Sequence, residues 1–167
     1  MLKSILAGGA IALAAGSLAS GASAAEDWVT VVRSAEIARP ASAVWALVGG
    51  YCEFGKVRKV SCTYKKGTGG LGTIRVLNGV TEEVKVGEGQ YSYGYFQTVG
   101  ARTQARYHGN MSAIPSADGK TTKMVYTLIY DQAGFATDAE RASQKAAMET
   151  GFQDAVDTIK AMAEAAK

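Results

Sequence analysis

The sequence predicts an α+β domain in which an antiparallel sheet packs against one long C-terminal helix. Three observations carry this. Apolar residues recur at three- and four-residue steps from Met148 to Ala163, the period of a helix buried on one face. Between Val57 and Asp131 the pattern changes to strict alternation, the period of half-buried strands. The alternating segments are joined by short turn signals such as Asn78-Gly79, which make hairpins rather than helical crossovers.

The first 24 residues are read separately. Lys3 precedes a short apolar run from Ile5 to Leu18, and Ala22-Ser23-Ala24 supplies an A-x-A cleavage site before Ala25. This is the pattern of an export signal, too short for a comfortable membrane span. A retained anchor helix is the competing reading. With cleavage near Ala24/Ala25 the mature chain, 25–167, is expected in the periplasm or outside the cell, with no stable membrane span. That length suits one domain.

Trp28 to Ile37 alternates as a strand, and Arg39-Pro40 ends it. Ala41 to Val48 then forms a short helix, Gly49-Gly50 breaks it, and Tyr51 to Gly55 adds a further turn or two. Val57 to Tyr64 is extended, and Lys65 to Gly72 is a turn. Gly67, Gly69 and Gly72 match G-x-G-x-x-G literally, but strand-forming residues follow them where a dinucleotide site needs a helix. No cofactor is therefore expected.

Asn78-Gly79 signals a two-residue type I′ hairpin. That turn would set Leu77 opposite Val80, Val76 opposite Thr81, and Arg75 opposite Glu82. The Arg75–Glu82 pair is then either an exposed surface pair of small energetic weight or a charged group set into a cavity. Tyr91, Tyr93 and Tyr95 share one face of the next strand, Tyr107 and Met111 one face of the strand after it, and Met124, Tyr126, Leu128 and Tyr130 one face of the last. Thr137 and Glu140 form a capping box that opens the long helix, 137–165, about 40 Å at ~1.5 Å per residue. In its first two turns Arg141, Gln144 and Lys145 occupy the direction that apolar residues occupy later.

Composition excludes several functions. A net charge of +3 without a basic stripe gives no nucleic-acid surface. One His and two Cys cannot supply a zinc site at a recognised spacing. Cys52 and Cys62 are ten positions apart; in an oxidising compartment they form a disulfide or remain two buried thiols, and the spacing leaves both open. His108 alternates with Arg106 and Asn110 on the polar side of its strand, away from any sheet–helix cavity.

The Ala38–Trp45 stretch, the Gly-rich turn running to Gly72-x-x-Arg75, Glu82 with Tyr93 downstream, the Thr121–Tyr126 strand and the closing helix together resemble the START-related helix-grip superfamily (SRPBCC, polyketide cyclase/dehydrase-like). The resemblance spans the mature chain, with Phe54 where many relatives carry Trp. It implies a curved antiparallel sheet of about six or seven strands gripping the C-terminal helix, with two short helices after the first strand. It also implies a cavity between them for an apolar or aromatic small molecule. Arg75, Glu82, Tyr93, Tyr107 and Tyr126 would be its polar groups, and Met111, Leu128 and Phe152 its wall. Arg141, Lys145 and Met148 would stand at its mouth, or the first turn of the helix would simply be solvated.

Three functions follow as expectations. The first is an exported protein that holds or carries a hydrophobic ligand, a lipid among the classes considered. The second is an aromatase/cyclase-type enzyme using Arg75, Glu82 and the tyrosines. The third is a periplasmic accessory presenting Tyr91, Tyr93 and Tyr95 to a protein partner. The lack of a nucleophile elbow, metal set or cofactor loop favours the first.

Overall fold

A computed structural model describes residues 25–166; the export-signal reading of residues 1–24 lies outside the described residues. The elements run β1 (Trp28–Ile37), α1 (Ala41–Val48), α2 (Glu53–Arg58), β2 (Cys62–Lys66), β3 (Ile74–Leu77), β4 (Thr81–Gly89), β5 (Ser92–Val99), β6 (His108–Pro115), β7 (Thr122–Asp131) and α3 (Asp138–Ala165). The seven strands form one antiparallel sheet in the order β1-β7-β6-β5-β4-β3-β2. Successive hairpins build it from β2 to β7. The chain closes by pairing β1 with β7 along its whole length, Trp28 with Asp131 to Ile37 with Thr122.

The inner face carries Val31 and Ile37 from β1, Tyr93 and Tyr95 from β5, Met111 and Ala113 from β6, and Met124, Tyr126, Leu128 and Tyr130 from β7, all buried. α3 lies across this face and buries Met148, Phe152, Ala155, Val156, Ile159 and Ala163. Its start is capped as the sequence predicts: the Glu140 amide donates to Thr137 Oγ1 at 3.1 Å. Its end is strapped to the end of β1, with Lys160 Nζ donating to the Glu36 carbonyl and Arg39 to that of Ala166. Among the described residues no helix is long and apolar enough to cross a membrane.

Two local expectations are revised. Asn78 and Gly79 do adopt positive φ, 50° and 72°, and the Val80 amide bonds the Leu77 carbonyl at 3.1 Å. The ladder nevertheless resumes one residue later, pairing Leu77 with Thr81, Val76 with Glu82 and Arg75 with Glu83. Val80 is the additional residue, 68% exposed at the hairpin tip. Because side chains alternate with period two, this slip exchanges the faces: Glu83 and Lys85 turn inward, and Glu82 and Val84 turn outward. The predicted Arg75–Glu82 pair is thus replaced by Arg75–Glu83. Glu82 pairs with Lys65 at 2.7 Å on the other side of the sheet. The two registers are chemically degenerate for Arg75, since adjacent glutamates offer it a carboxylate either way. Asn78 supports the observed hairpin by exchanging bonds with Ser61, whose amide donates to Asn78 Oδ1 at 3.1 Å.

The second revision concerns Gly151. Mid-helix glycine costs ~1 kcal/mol relative to Ala, and the sequence suggests a close sheet contact or a hinge. The group that approaches is Arg58 of α2, whose Nη1 donates to the Gly151 carbonyl. A Cβ at Gly151 would lie 3.0 Å from Arg58 Nη2. The glycine seats a guanidinium against the helix. Cys52 and Cys62, on either side of α2, are joined as a disulfide.

Candidate functional site

Between α3 and the β3–β5 part of the sheet lies a cavity of about 210 Å³. Leu77, Thr81 and Glu83 enter it from the β3–β4 hairpin, Tyr95 and Gln97 from β5, and Arg102 and Tyr107 from the β5–β6 connection. α2 contributes Phe54 and Arg58, and α3 contributes Ala147, Met148 and Phe152. Asn78, Val80 and Ala147 are exposed and mark its opening, whereas Glu83, Tyr95, Gln97 and Tyr107 are buried and form its floor.

The floor rests on a buried ion pair. Arg75 is fully buried, and its Nε and Nη2 donate to Glu83 Oε2 at 2.8 and 2.6 Å. Its Nη1 donates to the Tyr51 carbonyl. Aromatic rings enclose the guanidinium, with its carbon 4.2 Å from the Tyr51 ring centre, 4.9 Å from Tyr95, 5.0 Å from Phe54 and 5.7 Å from Tyr93. These cation–π contacts and the carboxylate replace lost hydration. Burial pushes the Glu83 carboxyl above the ordinary carboxylate range, and Arg75 offsets this only in part. Glu83 Oε2 takes both Arg75 bonds; among the described residues Oε1 has no partner and the residue lines the cavity.

Beside Glu83, the Tyr95 and Tyr107 hydroxyls lie 3.2 Å apart. Burial raises both phenols, so they stay protonated at neutral pH and can donate. Tyr95 reaches this position because its ladder partner is Gly109, where a Cβ would collide with its ring. The apolar walls are Phe54 and Phe152, stacked at 6.3 Å with 17° between planes.

Of the residues proposed from sequence, Tyr107, Met148 and Phe152 line the cavity. Arg75 stands behind Glu83 and shapes the floor without lining it. Tyr93, Met111, Tyr126 and Leu128 are packed in the core; Tyr126 lies under the wall, 5.1 Å from Phe152 and 5.7 Å from Phe54. Glu82 is on the outer side, for the register reason above. Arg141 and Lys145 are not at the opening. Arg141 folds back on the helix start, donating to the Phe135 carbonyl and to Asp138, and Lys145 is exposed. The α3 part of the lining begins at Ala147; Arg141 lies more than a turn before it, and Lys145, although close in sequence, is on the exposed side of the helix. Their place is taken by Arg58 and Arg102, which sequence reasoning missed along with Glu83, Tyr95 and Gln97. Tyr95 was legible as an inward residue of β5; Glu83 was hidden by the one-residue slip. No periodic signal marks Arg58 or Arg102, at a helix end and in a turn.

Tyr93 and Tyr95 are buried, so the exposed tyrosine surface proposed for a protein partner is not there. His108 sits on the outer side between Phe96 and Trp28, with ring centres 4.7 and 6.3 Å away. Among the described residues no three potential metal-ligating side chains converge.

Comparison with known proteins places this architecture. The family model described as polyketide cyclase/dehydrase and lipid transport matches residues 29–164. Among solved structures, the Zhui aromatase/cyclase of Streptomyces sp. R1128 is similar at 16% identity and a TM-score of 0.67, covering 83% of this chain and 94% of that one. A protein of Nitrosospira multiformis is similar at 19% identity and a TM-score of 0.66, covering 80% and 94%. A norcoclaurine synthase point mutant of Thalictrum flavum, in complex with a transition-state analogue, is similar at 14% identity and a TM-score of 0.61, covering 84% and 97%. At these identities the likeness is one of fold, the helix grip. A search of curated proteins finds no match. The family supports a ligand-binding or cyclase-type function, and the chain belongs to the polyketide cyclase/dehydrase and lipid transport family.

Proposed function

We propose that the chain is an exported protein that binds a small aromatic molecule between the sheet and α3. The observation that carries this reading is the cavity itself: aromatic rings on its walls, with Glu83, Gln97 and the tyrosine hydroxyls on its floor and Arg58 and Arg102 at its opening, a concave site with convergent polar groups. A dry cavity of roughly 150 Å³ holds benzene, so about 210 Å³ has room for one or two rings. Export is supported by the signal pattern of residues 1–24 and by the Cys52–Cys62 disulfide, a bond of oxidising compartments.

The test is mass spectrometry of small molecules extracted from protein purified without denaturation from the periplasmic fraction. A reproducible aromatic compound, on a chain beginning near Ala25, supports the proposal. Protein that retains residues 1–24 overturns export. Protein that is empty and takes up no aromatic compound overturns binding.

One observation favours a second reading, cyclase-type chemistry. Glu83 has a raised carboxyl and faces the cavity beside two phenols, an arrangement suited to proton transfer. If the extracted compound is converted by wild-type protein and not by Glu83→Gln, the enzyme reading replaces simple binding.

A further inference from the structure

The cavity is charged at both ends. At the floor, Glu83 Oε1 is an acceptor without a protein donor among the described residues. At the opening stand two guanidinium groups from unrelated elements, Arg58 at the end of α2 and Arg102 in the β5–β6 connection. Each is held along one edge. Arg58 donates to the Gly151 carbonyl and lies 5.4 Å from the Phe152 ring centre. Arg102 Nε donates to Gln144 Oε1 at 3.2 Å, and its guanidinium carbon lies 5.7 Å from the Tyr107 ring centre.

Neither arginine forms an ion pair among the described residues, although eight other basic residues do. The remaining N–H groups of both are without protein acceptors among the described residues. A guanidinium fixed along one edge presents the other as a planar fork suited to a carboxylate. Between the forks and Glu83 the lining is mainly the Phe54, Phe152, Tyr95 and Tyr107 rings with Leu77 and Met148, and Thr81 and Gln97 add uncharged polar groups. From the opening inward the order is cation pair, aromatic band, acceptor.

We propose that the ligand is a planar aromatic carboxylic acid carrying a hydrogen-bond donor, such as a hydroxyl, at the end opposite its carboxylate. The carboxylate lies between Arg58 and Arg102, the ring against the Phe54/Phe152 wall above the Tyr95/Tyr107 floor, and the donor on Glu83 Oε1. This inference rests on the small-molecule binding reading above and adds polarity and direction to it.

Titration calorimetry with four probes separates the two. 4-Hydroxycinnamate has both groups, its methyl ester lacks the anion, 4-methoxycinnamate lacks the donor, and 2-naphthol is a phenol without an acid. Charge-assisted hydrogen bonds set the expected gaps, on the order of tenfold to a hundredfold in affinity for losing the carboxylate and about tenfold for losing the donor. Arg102→Gln and Arg58→Gln should each shrink the acid-to-ester ratio. Arg102→Gln is the safer variant, because Arg58 also braces α3. Glu83→Gln should shrink the hydroxyl-to-methoxy ratio, with circular dichroism confirming that each variant is folded. If 2-naphthol binds while the acid is no tighter than its ester, the inference is overturned and the binding reading stands. If no probe binds at millimolar concentration, both fail.

Discussion

The buried Arg75–Glu83 pair makes the sharpest energetic prediction. Replacing one partner leaves a charge without its counter-ion under a wall of tyrosines, and breaking such a pair costs about 3–5 kcal/mol. The two single variants should not be equal. A guanidinium cannot lose its proton under folding conditions, so Glu83→Leu leaves Arg75 charged, fully buried and short of two hydrogen bonds. Arg75→Met leaves a carboxyl that burial already pushes toward its neutral form, and it sheds the charge by taking up a proton. Glu83→Leu is therefore predicted at the upper end of that range and Arg75→Met at or below the lower. The double variant Arg75→Met/Glu83→Leu should recover most of the loss, because apolar groups of similar volume replace such pairs at little cost. With a urea m-value of about 2 kcal/mol/M, Glu83→Leu shifts the unfolding midpoint by roughly 2 M, and a double-mutant cycle reads the coupling directly. Equal losses for the two single variants, a Glu83→Leu cost below about 1 kcal/mol, or additive losses in the double would refute the reasoning.

Gly151→Ala should fail to stabilise the protein, since its Cβ would crowd Arg58; the gain of ~1 kcal/mol that helix propensity alone gives, read by thermal unfolding, would show that Arg58 is not seated there. Gly109→Ala should displace the Tyr95 ring, destabilising the fold and weakening 2-naphthol binding in fluorescence titration; unchanged binding would remove Tyr95 from the floor. Replacing Cys52 and Cys62 by Ser should cost about 3 kcal/mol, the chain-entropy value for so short a loop, measured in urea, and no loss would mean the bond does not constrain α2. Asp131 accepts from the Asp27 amide and from Arg106, which hold its carboxyl below its ordinary value of 3.8. A lowered folded-state value gives stability present above the unfolded value and lost as pH falls through the folded one. Wild type should therefore lose its advantage over Asp131→Asn on acidification below about pH 4, and a constant difference in acid unfolding curves would contradict this.

Much of the fold was legible because it rests on periodicity. The Thr137–Glu140 cap, the Met148-to-Ala163 stripe and the alternation of β6 and β7 each have one arrangement that buries the apolar side, and the structure adopts it. The site was less legible because its key choice is one of register. Asn78-Gly79 forms the turn its residues demand, but Val80 is left over, and with Glu82 and Glu83 adjacent no charge argument selects between registers. Arg58 and Arg102 were illegible for another reason. They reach the opening by tertiary contacts, one through Gly151 and one through Gln144, and neither contact leaves a spacing in the sequence. Gly151 was visible as an oddity mid-helix; what it accommodates was not.

The central claim is that the space under α3 is a binding cavity, and the methionine methyl groups report on it most directly. Met148 lines the cavity, whereas Met111 and Met124 are packed in the core and Met162 lies toward the far end of α3. With methyl-labelled methionine and 2-naphthol as the probe, titration by NMR should shift the Met148 resonance strongly and saturably. Those of Met124 and Met162 should move little. A Met148 resonance that stays in place at millimolar probe, or uniform small shifts of all four, would contradict the account.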